Sequence, residues 1–106
     1  MKKWRLKMGE VLERDFQAKL KKEIKQRFHG CIITKLDSGD CQGLPDLLIL
    51  YGNRWATLEC KRSQKAPCRP NQRYYVKEMD KMSFSRFICP ENKEAVLDEL
   101  QQAFCI

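Results

Sequence analysis

The chain has 106 residues, with 21 Lys+Arg against 14 Asp+Glu for a formal net charge of +7, and it carries 6 Cys and 1 His. That length accommodates one domain, residues 1–106, big enough for a single hydrophobic core. A chain that is 42% hydrophobic and 33% charged is not a disordered tail, and its longest strongly apolar stretch, Leu47 to Tyr51, is far too short to cross a bilayer.

In chain order, a basic arm comes first, Lys2-Lys3-Arg5-Lys7 around Trp4, over residues 1–7. No apolar segment or small-residue cleavage site follows it, so a signal peptide is not expected. Leu12, Phe16, Leu20, Ile24 and Phe28 then recur at every fourth position, which predicts an amphipathic helix from about Met8 to Phe28, closed by Gly30. Cys31 to Leu36 reads as a short strand and Asp37 to Pro45 as a loop. Asp46 to Tyr51 and Arg54 to Cys60 are strands joined by Gly52-Asn53, a two-residue hairpin turn. Ser63 to Arg69 is a basic loop, and Pro70 opens a helix to about Met82, since proline suits a first turn. Phe84 to Cys89 reads as a strand that Pro90 stops, and a last helix carries Ala95, Val96, Leu97, Leu100 and Phe104 on one side. The order α-β-β-β-α-β-α predicts an α/β fold of the α+β kind, a small mixed sheet with helices on its faces.

Cys31, Cys41, Cys60, Cys68, Cys89 and Cys105 include no C-x-x-C pair and no companion His spacing, and three of them sit in apolar runs. Reduced thiols in a cytoplasmic protein are expected, with neither a disulfide framework nor a zinc site. The single His29 falls at the end of a helix pattern, which leaves no basis for a His-dependent nucleophile.

The charge is unevenly distributed. Residues 1–30 carry a balance of +6 and residues 61–75 a balance of +5, while residues 31–60 between them stand at −2. Basic segments of this density suit a phosphate backbone. An acidic stretch between them is repelled by a polyanion unless a cation intervenes.

The hairpin shows where such a cation would bind. A two-residue turn at Gly52-Asn53 pairs Tyr51 with Arg54, and carrying that register outward sets Asp46 opposite Glu59 on one face of the sheet. Lys61 falls two residues beyond Glu59 and shares that face. Facing carboxylates are destabilising without a cation; Lys61 supplies one, and a hard divalent metal such as Mg²⁺ is the other economical solution. On the first helix Glu13 lies about 20° from both Leu20 and Ile24 at 100° per residue. It therefore sits in the middle of the apolar stripe, where an unpaired carboxylate is costly. Glu10 lies on the flank, as the alternative if the helix is shifted.

Gly43-Leu44-Pro45-Asp46, a short hairpin and then Glu59-Cys60-Lys61 resemble the signature of the PD-(D/E)xK nucleases. With Glu13 before Phe16-Gln17, and Arg69-Pro70-Asn71-Gln72 after the second hairpin strand, the chain from about Glu13 to Phe104 resembles the small phage-type stand-alone members of the VRR-NUC group, which are similar to Holliday-junction resolvases. The resemblance implies a restriction-endonuclease-like core and a metal-dependent, structure-selective DNA endonuclease. Asp46, Glu59 and the Cys60 carbonyl would hold Mg²⁺ or Mn²⁺, the Cys60 thiol would point to the other face, and Glu13 would complete the site directly or through water. Lys61 would orient or deprotonate the attacking water, and Gln72 would help hold that water or Lys61.

The resemblance further implies a branched DNA substrate such as a four-way junction, in phage replication or recombination within a bacterial host's cytoplasm. Cutting two strands symmetrically from one active site per chain requires a homodimer. Lys35, Arg62, Lys65, Arg69 and Arg73 are the expected DNA contacts close to the site, with the N-terminal arm and Lys19, Lys21, Lys22 and Lys25 further out. Trp55, Tyr74, Tyr75, Phe84 and Phe87 are expected in the core or an interface rather than as platforms for bases. The rival readings are a nickase, flap or repair nuclease of the same superfamily, a non-catalytic basic DNA-binding module, and a protein-interaction or inhibitor protein with a basic surface.

Overall fold

A computed structural model describes residues 8–37 and 39–105. It consists of α1 (Met8–Arg27), β1 (Ile32–Lys35), β2 (Leu47–Tyr51), β3 (Arg54–Cys60), α2 (Pro70–Met82), β4 (Ser85–Ile88) and α3 (Lys93–Phe104). The basic arm, with Trp4, lies outside the described residues, as does the side chain of Glu10.

The four strands form one mixed sheet in the order β1-β2-β3-β4. β1, β2 and β3 pair antiparallel, β1 with β2 across a long loop and β2 with β3 across a two-residue turn, and β4 joins β3 in parallel, the pairing that a crossover through α2 requires. Tyr51 pairs with Arg54 and Leu47 with Leu58, the register that the two-residue turn dictates. Gly52 enters that turn at a φ of 62°, where a Cβ would be strained.

Side-chain alternation along β3 divides the molecule into layers. Ala56, Leu58 and Cys60 face the core, where they meet Leu20, Ile24 and Phe28 of α1 and Val96, Leu97, Leu100 and Phe104 of α3. Thr57 and Glu59 face α2, and Thr57 donates to Ser85 Oγ across the parallel pair at 2.8 Å. Phe28, Tyr51 and Phe104 close one end of the core as a three-ring cluster with centroids 5.4–5.7 Å apart. Helix α2 covers only the β3–β4 half of its side. On the other half the cross-strand partners Ile32 and Leu50 stay 61% and 41% exposed.

The stripe on α1 departs from expectation. Leu20, Ile24 and Phe28 are buried, Phe16 is half-buried, and Leu12 is 51% exposed. A spacing of four on a helix of 3.6 residues per turn advances by about 40° at each step, so the stripe turns off the core towards the N-terminus.

Candidate active site

The site is built at the end of the β2–β3 ladder. Asp46 stands one step beyond the last pair, Leu47 with Leu58, and its backbone carbonyl accepts from Leu36 N–H at 2.8 Å. Its Oδ2 accepts from Cys60 N–H at 2.9 Å, so the carboxylate bridges the two strands where the sheet hydrogen bonding ends. Glu59, 3% exposed, lies beneath α2. Cys60 is fully buried in the core on the opposite face, and burial pushes its thiol up, so this cysteine packs as a small apolar group.

Helix α2 contributes the residue that links these groups. Pro70 occupies the first turn and Gln72 reaches back to accept from Arg69 N–H through Oε1 at 3.0 Å, one half of a capping box. The same Oε1 accepts from Lys61 Nζ at 2.9 Å, while Nε2 donates to Glu59 Oε2 at 2.9 Å. Only this amide orientation serves both neighbours, because a flipped amide would point its N–H₂ at the ammonium. Lys61 Nζ lies 3.7 Å from Glu59 Oε2, with both side chains largely buried. Glu59 Oε1 is buried with no hydrogen bond of standard geometry, and the Asp46 backbone amide lies near enough to the carboxyl to favour its charged form weakly.

Electrostatics follow from that crowding. Burial is the largest influence on Glu59, the Asp46 charge adds to it and Glu13 adds less, while Lys61 opposes them; the carboxyl is pushed up to about 8. Asp46 is also raised by burial, against the opposing effects of the Cys60 amide, Lys61 and Lys35. Glu13, half-buried on α1, lines a cleft of about 240 Å³ with Arg14, Gln17, Lys35 and Asp46. Among the described residues, no three His, Cys, Asp or Glu side chains are gathered closely enough to hold a metal ion. Asp46 and Glu59 are thus a two-carboxylate pair, with Glu13 acting through its charge. The buried, unpartnered Glu59 Oε1 beside a second carboxylate is a donor set that fits Mg²⁺, which commonly takes one or two carboxylates and completes its shell with water and substrate phosphate.

The expected DNA contacts differ in their surroundings. Arg69, with Gln42, Gly43, Asp46, Asn71 and Gln72, lines a cleft of about 720 Å³ that reaches Asp46. Lys35 borders the Glu13 cleft, and Lys65 is exposed on the basic loop. Arg73 Nε donates to Cys68 Sγ at 3.0 Å. Arg62 is exposed but lies against the start of α1, so close that a Cβ on Gly9 would come within 2.9 Å of its Nη1. Of the aromatic residues, Phe84 is buried, Trp55, Tyr75 and Phe87 are half-buried, and Tyr74 is 60% exposed.

Two residues named in the sequence only for their neighbours have contacts of their own. Gln17, which follows Glu13 by one helical turn, interacts with the Cys60 thiol. Gly43, noted for its place before Leu44-Pro45-Asp46, has a φ of 97°, and a Cβ there would lie 2.5 Å from Asn71 Cβ. It is the point at which the β1–β2 loop meets the first turn of α2.

No protein-family model matches the sequence, and no curated protein is similar enough to count as a relative. Among the described residues no helix is long and apolar enough to cross a membrane.

Proposed function

We propose that this chain is a metal-dependent DNA endonuclease with a restriction-endonuclease-like core, resembling the stand-alone VRR-NUC nucleases, and that it hydrolyses phosphodiester bonds in branched DNA such as four-way junctions. The observation that carries the reading is the closed set Asp46, Glu59, Lys61 and Gln72, in which a buried carboxylate oxygen has no partner. A fold has little reason to bury Glu59 and Lys61 around the Gln72 amide, with the Asp46 carboxylate beside them, for stability alone, since such a cluster costs desolvation. The resemblance rests on these motif residues and the element order.

Asp46 and Glu59 would hold Mg²⁺ or Mn²⁺, with the Cys60 carbonyl as a further oxygen and Glu13 reaching the ion directly or through water. When bound, the ion neutralises phosphate charge and makes an attacking water more acidic. Lys61 presents its ammonium to the scissile phosphate, offsets charge developing there, and orients the water. Gln72 keeps Lys61 at the carboxylates by accepting from it while donating to Glu59. Arg69, Arg73, Lys65, Lys35 and Arg62 grip the flanking phosphates, and a two-fold pair of copies would cut a junction symmetrically.

The test is incubation with labelled four-way junction, duplex and single-stranded DNA in Mg²⁺, Mn²⁺ or EDTA. Wild type should cut the branched substrate only with metal. Asp46→Asn, which keeps an oxygen for Cys60 N–H, and Lys61→Ala should each lose cleavage by about a hundredfold or more while still binding DNA. Variants that cut as well as wild type would overturn the reading.

A further inference from the structure

Beside the carboxylate pair, across Lys61, lies a further cavity whose apolar wall the reaction proposed above does not use. It encloses about 320 Å³ between the basic loop, the end of β4 and the first turns of α2. That is the lower end of the range for pockets that take a small organic group. Its lining includes Phe87, Cys89 and Ala66 as apolar wall and the backbone of Ile88, whose side chain faces the core, with Lys61 and Arg73 as its charged residues.

Three observations relate this cavity to the site. Phe87 is the parallel-strand partner of Glu59, so its ring projects from the same sheet face one strand away. Lys61 N–H donates to Ile88 O at 2.9 Å, which fixes the lysine as the wall between cavity and carboxylates. Asn92, the only asparagine in the lining, is already spent: Oδ1 accepts from Cys89 N–H at 2.8 Å and Nδ2 donates to Phe87 O at 3.1 Å. Those bonds brace the apolar wall and leave Arg73, Ser63 and Gln64 as its polar rim.

An apolar wall with Lys61 and Arg73 as the charged residues of the lining, and with the nearby Glu91 carboxylate already accepting from Gln64 N–H at 3.2 Å, suits a planar, neutral ring attached to an anion. We propose that the cavity receives one unpaired nucleobase from the strand whose phosphodiester lies at Asp46, Glu59 and Lys61, with Phe87 as the apolar wall and Arg73 on the adjoining phosphate. This rests on the nuclease reading for the identity of the strand. A base stacked inside a duplex cannot enter a side cavity without being extruded, so the site favours a strand with a base already unpaired. Base–aromatic contact of this kind contributes about 1–3 kcal/mol per base, or roughly tenfold in affinity and upwards.

The test uses metal-free, isotope-labelled full-length protein, so that no cutting occurs, titrated with a short single strand, the same strand made abasic, a fully paired duplex and a free deoxynucleoside monophosphate. The single strand should shift the Ala66 methyl and the Phe87 ring, and the abasic strand and duplex should leave them in place. Ala66→Leu, which fills the cavity from a surface loop, should weaken single-strand binding about tenfold and bind the abasic strand like wild type. Phe87→Leu gives the same readout should Ala66→Leu not fold. Equal shifts with the abasic strand, no cavity shifts with any strand, or free nucleotide binding as tightly as the strand would each overturn the proposal. Cavity shifts in a protein that cuts no DNA with Mg²⁺ would uphold the base site and defeat the nuclease reading instead.

Discussion

Glu59 is costly to bury and is buried even so. Its carboxyl titrates near 8 in the folded protein against 4.5 as a free group, so the native state holds a proton there that the unfolded chain has released. The stability this represents is fully present below pH 4.5 and is lost as pH rises through about 8. Metal-free protein should accordingly melt at lower temperature at pH 8.5 than at pH 6, and Glu59→Gln should flatten that slope and gain about 2 kcal/mol at the alkaline end. Thermal unfolding at both pH values with EDTA present checks it. The facing of Asp46 and Glu59 was legible in the sequence because a two-residue turn leaves one register. The place of Gln72 came only from resemblance, and the orphaned Glu59 oxygen could not be read at all, since it depends on how α2 docks over β3.

At the level of elements, the α1 stripe and Gly43 illustrate the two limits of reading a sequence. Spacing gave the helix and its bounds, but a strict four-residue repeat precesses, and Leu12 leaves the core for solvent. Gly43 was noticed for its neighbours, whereas its physical role is contact with α2. Gly43→Ala should meet both a disallowed φ and the Asn71 side chain, costing about 2 kcal/mol. Calorimetry should show a fall in Tm of about 10 °C. Because Asn71 precedes Gln72, the variant should also lose more cleavage at saturating DNA than its lost stability explains, measured well below its Tm.

For the molecule as a whole, charge would set the terms of the DNA binding proposed above. Affinity should fall by about a thousandfold between 50 and 200 mM salt if the six basic groups around the site each neutralise a phosphate. Arg69→Ala should weaken binding to every DNA alike and reduce the salt slope by about one, measured by fluorescence anisotropy. Arg62→Ala should differ, lowering thermal stability as well, because Arg62 packs on the start of α1. Sedimentation with and without junction DNA reports whether two copies assemble; monomers throughout would leave nicking and exclude symmetric resolution.

The sheet joins short-range and long-range pairings, and that mixture has a kinetic consequence. Asp46 and Glu59 are brought together by a hairpin closed over two residues, the kind of contact that forms in microseconds. Gln72 and the Phe87 wall arrive only when the chain has crossed through α2 to lay β4 beside β3, a pairing over 28 residues of separation that carries a larger entropic barrier. The carboxylates should therefore meet before the amide that joins Glu59 to Lys61 arrives, and the hairpin must tolerate their repulsion while still open to water. Folding should quicken as pH falls through about 4.5, where that repulsion begins to be protonated away, and stopped-flow refolding of wild type against Asp46→Asn would reveal the difference.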